Sequence, residues 1–383
     1  MGKRKVFVIG PIVPFTGGIP QSNTVLCDNL AKNNEVTAIS YSMMFPKIFY
    51  PGKKQRDGPY LKNMKFKQEF ILNTLNPISW LKILNKVRKE RPAWVVFQWW
   101  HVYFFPSYFF ISFFAKHFFH AKINVCCVHI LPYESTKKSM EIIHKPLTKL
   151  FLSSANHLAT LSRSEFAILK KLIPNCNADF ILENSFSLLM KPAMPKAKAQ
   201  KILQLPNKKI LLFFGAVRPY KGLDDLLEAL SILLKKRKDL FLVAAGAFWE
   251  PVSRYEQLAS SLGIRDSVKF VDKYVPDEEI PIFFCACDLV VLSHRTASQS
   301  GIPQLALEYN KPIVATDAGG NAVYIDEGKN GFIVPPADPK KLAGAIEKFF
   351  ARKSEEDFSK YCALKKKEFD WTPEKEKKFF GEK

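Results

Sequence analysis

Along almost the whole chain, short apolar runs alternate with stretches whose apolar residues recur at helical spacing. In the first half, Val6–Ile9, Glu35–Tyr41, Trp94–Trp99, Asn124–His129, His157–Ser162 and Phe180–Glu183 read as strands. In the second half, Ile210–Phe214, Leu240–Ala245, Val268–Val271, Leu289–Leu292, Ile313–Thr316 and Phe332–Val334 do. Helical stretches such as Ser22–Lys32, Leu223–Lys236, Arg254–Leu262 and Pro339–Phe350 separate many of them. Strands alternating with helices in this way predict parallel sheets covered on both faces. Twelve strands are many for one sheet, and Met190–Lys209 offers a break, with three prolines, six lysines and no acidic residue. The pattern predicts an α/β chain of two doubly wound domains, 1–190 and 205–364, joined by a linker at 191–209 and facing a central cleft. In such sheets ligands sit beyond the carboxyl ends of the strands, so the strand-to-helix loops are where chemistry is sought.

Composition narrows the class. The 383 residues suffice for two cores at roughly 100–200 residues per domain. With 47% hydrophobic and 24% charged residues, a disordered or collagen-like chain is excluded. The longest apolar stretch, Val102–Ala115, has 14 residues and contains Pro106, whereas a bilayer span needs about 20. The run Val6–Ile9 is too short for a signal-peptide core. Seven cysteines without framework spacing read as reduced thiols of a cytosolic protein. Cys285-x-Cys287 is too tight for a zinc pair, so no metal site is expected.

The formal net charge is +21, and it is uneven. Residues 1–190 hold 25 Lys and Arg against 10 Asp and Glu, while the remainder holds 32 against 26. Such a field attracts nucleic acid or an anionic membrane surface, or is simply a solvated lysine-rich face. No zinc-finger spacing, RNP-type motif or long basic run is present, so nucleic acid has composition alone in its favour. The cluster Lys86-Val87-Arg88-Lys89 is a candidate membrane contact.

Two loops of the second half carry the chemistry. A buried strand ends at Gly215 and a helix begins near Gly222, which places Arg218 and Lys221 at the cleft mouth. A diphosphate would suit them, since Arg offers a planar fork of donors and Lys a compact point charge. They also read as solvated cations, with Lys221 bridging Asp224 or Asp225. After Leu289–Leu292, the loop from Ser293 through Gln299-Ser300-Gly301-Ile302-Pro303 precedes a helical stretch, Gln304–Tyr309. Small residues before a helix leave N–H groups free for an anion; an ordinary Ser cap followed by Pro fits the same residues.

In combination these motifs are recognisable. Arg218-x-x-Lys221-Gly222, the Gly301-Ile302-Pro303 turn, Lys311–Gly320 and Asn330–Pro336 resemble those of glycosyltransferase family 4, in that family's order, over roughly residues 205–350. The resemblance implies the GT-B fold, two Rossmann-like domains with the nucleotide-sugar on 205–364 and the acceptor mostly on 1–190. It also implies a C-terminal helix, here 365–383, packing back on the first domain, with Glu368–Phe380 and Trp371 as the candidate. One departure stands out. The family's paired glutamates, with seven residues between them, fall here on Ser298 and Ala306, and Glu308 lies two residues past the second. The Gln299-Ser300-Gly301 turn resembles a branch of the family that lacks them.

In the first half, Gly17-Gly18 closes the loop after the first strand, and paired glycines let backbone approach a ligand closely, although a flexible turn reads the same way. In similar enzymes this loop covers the donor phosphates and sugar. His129 ends a strand where ligands sit; the resemblance places it near the transferred sugar, while a lone strand-end His is also commonly structural. Glu134 is a candidate to assist it or orient the acceptor. Trp99, Trp100 and His101 are acceptor-site candidates. Most of the eight phenylalanines in 102–119 read as the core of an all-round apolar helix.

The expectation is a retaining, hexosyltransferase-type enzyme moving sugar from a nucleotide-diphosphate-sugar to a glycan or lipid-linked acceptor in envelope or exopolysaccharide synthesis. His129, Arg218 and Lys221 are its catalytic candidates, and Gly17, Gly18, Gln299, Ser300, Gly301 and Ile302 complete the donor site. No cofactor is required and no divalent metal is evident. The partners are the donor, the acceptor and an anionic membrane surface; the place is the cytoplasm, peripheral to the inner face of the membrane. The alternatives are a non-catalytic nucleotide-sugar-binding relative and a phosphorylase or sugar-phosphate synthase of the same fold.

Overall fold

The structure, a computed structural model, describes residues 3–46, 64–131, 138–181, 183, 191–296, 300–352 and 355–382. The chain divides into two units, Met1–Ser185 with Trp371–Lys383, and Phe186–Asp370. The first unit runs β1 (Arg4–Ile9), α1 (Gly18–Leu30), β2 (Asn34–Met43), β3 (Lys67–Asn73), α2 (Pro77–Glu90), β4 (Trp94–Trp99) and α3 (Phe105–His117). It continues through β5 (Lys122–Cys127), α4 (Lys138–Ser153), β6 (His157–Thr160), α5 (Arg163–Leu172) and β7 (Ala178–Phe180). The strands pair in parallel in the order β3-β2-β1-β4-β5-β6-β7. The central strands are unbroken apolar runs because both faces are covered. Phe7, Ile9, Val95, Phe97 and Trp99 face a core shared with Ile83 of α2 and Ile111 of α3. The alternate residues Val6, Val8 and Val96 pack with Leu26 and Leu30 of α1.

The second unit runs α6 (Lys196–Ile202), β8 (Lys209–Phe214), α7 (Leu223–Leu234), β9 (Leu240–Gly246), α8 (Val252–Ser261), β10 (Val268–Asp272) and α9 (Ile280–Ala286). Then follow β11 (Leu289–Leu292), α10 (Ile302–Glu308), β12 (Ile313–Thr316), β13 (Gly331–Val334), α11 (Pro339–Ala351) and α12 (Glu355–Lys367). Its sheet is parallel in the order β10-β9-β8-β11-β12-β13. The last helix, α13 (Pro373–Phe379), belongs to the first unit. There Phe379 and Phe380 join the core beside Val6 and Leu26, and Glu376 accepts from the Asn33 and Asn34 side chains at 2.8 Å each.

Several expectations need correction. The edge strand β3 escaped the sequence reading, because Lys67, Gln68 and Glu69 break its apolar run and only its inner face is covered. The stretch read as a linker contains α6, whose Lys196 forms an ion pair with the buried Asp288, and Lys209 already opens β8. The C-terminal helix expected over Glu368–Phe380 is shorter, because α12 has already ended at Lys367 and Thr372 caps a new start at Pro373, leaving only α13 in that range. β5 stops at Cys127, so His129 lies beyond the strand rather than in it; β6 stops at Thr160, and the strand expected at Phe180–Glu183 is Ala178–Phe180. Most phenylalanines of 102–119 do belong with the core, Phe104 inside it and Phe105, Phe109, Phe110, Phe114 and Phe119 packed partly buried against it, but Phe113 and Phe118 are 44% and 61% exposed. Among the described residues no helix is long and apolar enough to cross a membrane.

Candidate functional site

In each sheet the winding direction reverses once, between β1 and β4 and between β8 and β11. Doubly wound sheets bind ligands beyond the strand ends at that reversal.

In the second unit the reversal brings two loops side by side, 215–222 after β8 and 293–296 after β11. The Ser293 hydroxyl donates to the carbonyls of Gly222 at 2.7 Å and Lys221 at 3.1 Å, and the Arg295 N–H donates to the Tyr220 carbonyl at 2.7 Å. Gly222 has φ +65°, and a Cβ there would fall 2.1 Å from the Ser293 carbonyl oxygen, so no other residue lets the loops meet this closely. The Lys221 ammonium and the Ile302 side chain converge on Gly215, at 3.3 and 3.4 Å from where a Cβ on that glycine would lie.

The cation at Lys221 is held in an unfavourable place. Burial, and then the charge of Arg218, lower its pKa to about 8. The alternative reading, in which Asp224 or Asp225 neutralises it, is not what the structure holds. Asp225 takes both forks of Arg295 at 2.9 and 2.7 Å, and Asp224 takes Arg254 at 2.8 Å. No carboxylate pairs with Lys221 among the described residues. The Arg218 guanidinium lies over the Trp249 ring at 3.7 Å. Two cations therefore share this loop while the neighbouring acids are bound by other arginines. Such an arrangement can hold a dianionic group.

The sequence reading passed over His294 in this loop. It is buried, and burial followed by the Lys221 charge lowers its pKa to about 3, so the ring is neutral. Its Nδ1 lies 3.2 Å from the Asn321 amide nitrogen, which puts the ring proton on Nε2, and its carbonyl accepts from Thr316 Oγ1 at 2.5 Å. A histidine directly after a strand end was the available signal; its partner Asn321 lies far along the chain.

The Gly-Ile-Pro turn behaves differently from expectation. The Ile302 N–H is used by the Ser300 hydroxyl at 3.3 Å rather than left for a ligand, and α10 is only seven residues long. Ser300, Gly301 and Ile302 are placed beside Lys221 chiefly by the Ile302 side chain. Gln299 and Ser298 lie outside the described residues. Ala306 is fully buried, and Glu308 reaches Lys366 of α12 at 2.6 Å.

In the first unit, Gly17 at φ +112° caps the start of α1, and Gly18 opens it. His129 follows the end of β5, two strands from β1 in the sheet. Its Nδ1 lies 3.7 Å from Glu165 Oε1, while Glu165 Oε2 accepts the Ile130 N–H at 2.9 Å. Glu165 was missed because Ser162-x-x-Glu165 looks like an ordinary capping box; Ser162 makes no side-chain cap, and the carboxylate turns to the His129 loop instead. Trp99 cannot meet an acceptor, since it is 1% exposed and packs on Phe151 at 4.9 Å between ring centres. Trp100 is half-buried against Phe104, and His101 is exposed, its Nδ1 accepting the Tyr103 N–H at 3.1 Å. Glu134 lies outside the described residues. Among the described residues no group of three or more His, Cys, Asp or Glu is placed to hold a metal ion.

Residues 195–365 match the family model described as "Glycosyl transferases group 1". Over 209 residues the chain is 28% identical to D-rhamnosyltransferase WbpZ of Pseudomonas aeruginosa, covering 53% of this chain and 52% of that one. Over 151 residues it is 31% identical to spore coat protein SA of Bacillus subtilis, covering 38% and 40%. The chain thus spans about half or less of the length of these curated relatives. Among solved structures, HepE from Anabaena in complex with UDP covers 96% of both chains at 17% identity and a TM-score of 0.67. Sucrose-phosphate synthase from Thermosynechococcus elongatus covers 96% of both at 16% identity and 0.66. The fold is GT-B, two parallel-sheet Rossmann-like units, and the match to the group 1 model lies within the second unit.

Proposed function

We propose that the protein is a glycosyltransferase that moves a sugar from a nucleoside-diphosphate-sugar to a glycan or lipid-linked acceptor. Retention of anomeric configuration follows the family 4 resemblance, in the branch without the paired glutamates. The observation that carries the reading is Lys221, a half-buried ammonium next to Arg218 with no carboxylate of its own among the described residues. As the glycosidic bond breaks, charge builds on the departing diphosphate, and two preplaced cations stabilise it without reorganising. Neutral His294, behind Lys221, adds no competing charge. In the first unit, the Glu165 carboxylate orients His129 toward the strand-end edge, where the family resemblance puts the transferred sugar. The rhamnosyltransferase and spore coat relatives support envelope or surface polysaccharide synthesis as the setting, and the HepE complex with UDP-glucose supports a nucleotide-sugar donor.

Two measurements test this. A thermal-shift screen of UDP, GDP, ADP and their sugars identifies the base, because a ligand at 100 times its dissociation constant stabilises by about 2.7 kcal/mol. With the donor found, Arg218→Ala is expected to lower kcat/KM about ten- to a hundredfold while the fold survives, the worth of one charged hydrogen bond. Unchanged kcat/KM in that variant removes the assignment.

A further inference from the structure

Helix α3 carries aromatic rings up to its surface. Its fully buried positions are Ser107, Tyr108, Ile111, Ser112 and Ala115, whereas Phe105, Phe109, Phe110 and Phe114 are half-buried along its flanks and Phe113, with Phe118 just beyond the helix, is exposed. The rings run on from one another along the helix, with Phe105–Phe109 at 5.2 Å, Phe109–Phe113 at 6.4 Å and Phe114–Phe118 at 5.1 Å between centres. Both neighbouring helices extend the surface. On the α2 side Trp80 packs on Phe110 at 5.6 Å, and Leu75, Ile78 and Leu81 are each more than half exposed. On the α4 side Ile142 and Ile143 are 75% and 60% exposed. A water-facing helix layer ordinarily shows the reverse pattern, and a contiguous apolar patch of this kind marks a surface that another phase or molecule covers.

The charge says which. Together α2, α3 and α4 carry eight Lys and Arg against two Glu. Glu90, one of the two, pairs with Lys86, which also meets Glu69 at 2.8 Å. Lys86, in the basic run noted in the sequence, is therefore spent on acids of its own chain, while Lys82, Lys89 and Lys149 remain exposed. A second copy would bring like charges face to face. An anionic lipid surface satisfies both features at once, with phosphates for the lysines and an interfacial zone that accepts aromatic rings. We propose that the α2–α3–α4 face docks the protein on an anionic bilayer, its phenylalanine and isoleucine side chains entering the headgroup region and its exposed lysines meeting lipid phosphates. This inference does not depend on the activity proposed above, since vesicle binding needs neither donor nor acceptor.

The test uses the full chain and cosedimentation with vesicles of phosphatidylcholine alone or mixed with phosphatidylglycerol. Binding is expected only to the anionic vesicles and to weaken as salt is raised. Phe113→Ser/Phe118→Ser is expected to reduce that binding about tenfold or more, with the melting temperature and circular dichroism unchanged because both side chains are already exposed. Lys82→Glu/Lys149→Glu is expected to reduce it and flatten its salt dependence. Equal binding to both vesicle types, no binding to either, or a concentration-dependent dimer in sedimentation that Phe118→Ser disperses would each overturn the proposal.

Discussion

At Lys221 the folded chain pays for a charge it does not use by itself, and a ligand reverses both causes. Burial and Arg218 hold the ammonium pKa at about 8; a bound diphosphate adds negative charge and raises it. Affinity for the nucleoside diphosphate is therefore expected to be level below about pH 8. Above that it should fall by up to about tenfold per pH unit, because the free site must regain a proton to bind. Calorimetric titration from pH 6.5 to 9.5 checks the slope, and Lys221→Met should bind weakly with no such slope. Glu183 gives a stability counterpart in the first unit. Burial raises its pKa to about 7 against the Asn29 hydrogen bond that lowers it. A raised carboxyl pKa means stability is greatest at low pH, declines from about pH 4.5 to 7 as the unfolded chain ionises first, and then levels. Glu183→Gln should abolish that decline and leave the protein more stable than the parent at pH 8, by up to about 3 kcal/mol, in urea titrations at pH 5 and 8.

At the scale of elements, the small helix α13 has more at stake than its length suggests. Phe379 is fully buried beside Trp371 and Phe380, its carbonyl accepts from the buried Asn124 side chain on β5, and Phe380 meets Trp94 of β4 at 5.1 Å. Phe379→Ala is expected to cost about 3–5 kcal/mol in chemical denaturation of the first unit, because a cavity opens in the core that α13 shares with the sheet. Which elements the sequence disclosed follows from burial. Strands covered on both faces, such as Val6–Ile9 and Leu289–Leu292, print as unbroken apolar runs; β3, covered on one face and charged at its start, does not. Helix α6 hid between prolines because its lysines face solvent and its tie to Asp288 spans distant sequence. The site divides the same way. Arg218 and Lys221 were legible because they share one strand-to-helix loop. The pairs His294–Asn321 and His129–Glu165 were not, because each joins side chains that only the fold brings together. Trp99 misled because a strand's last residue can point to either face, and here it points into the core.

The molecule as a whole completes its first unit with its last residues. The segment Trp371–Lys383 belongs with Met1–Ser185, and the contacts that fix it reach the strands at the centre of that sheet. On β1, Arg4 lies over the Phe380 ring at 4.2 Å and forms ion pairs with Glu376 and Glu382. The second unit has its own core, built from β8, β9, β11 and α7 with Leu342, Ile346 and Phe349 of α11, and Trp94, Phe379 and Phe380 are not members of it. A chain ended after Asp370 therefore loses support from the first sheet. In hydrogen exchange, amides of β1, β4 and β5 are expected to lose protection in the truncated protein while those of β8 and β11 keep it. The proposed diphosphate grip lies in the second unit, so the nucleotide found by the thermal-shift screen should still raise the protection of the loops at 215–222 and 293–296. Loss of protection in both sheets together, or of the nucleotide effect alone, would show that the grip depends on the first unit for its own structure.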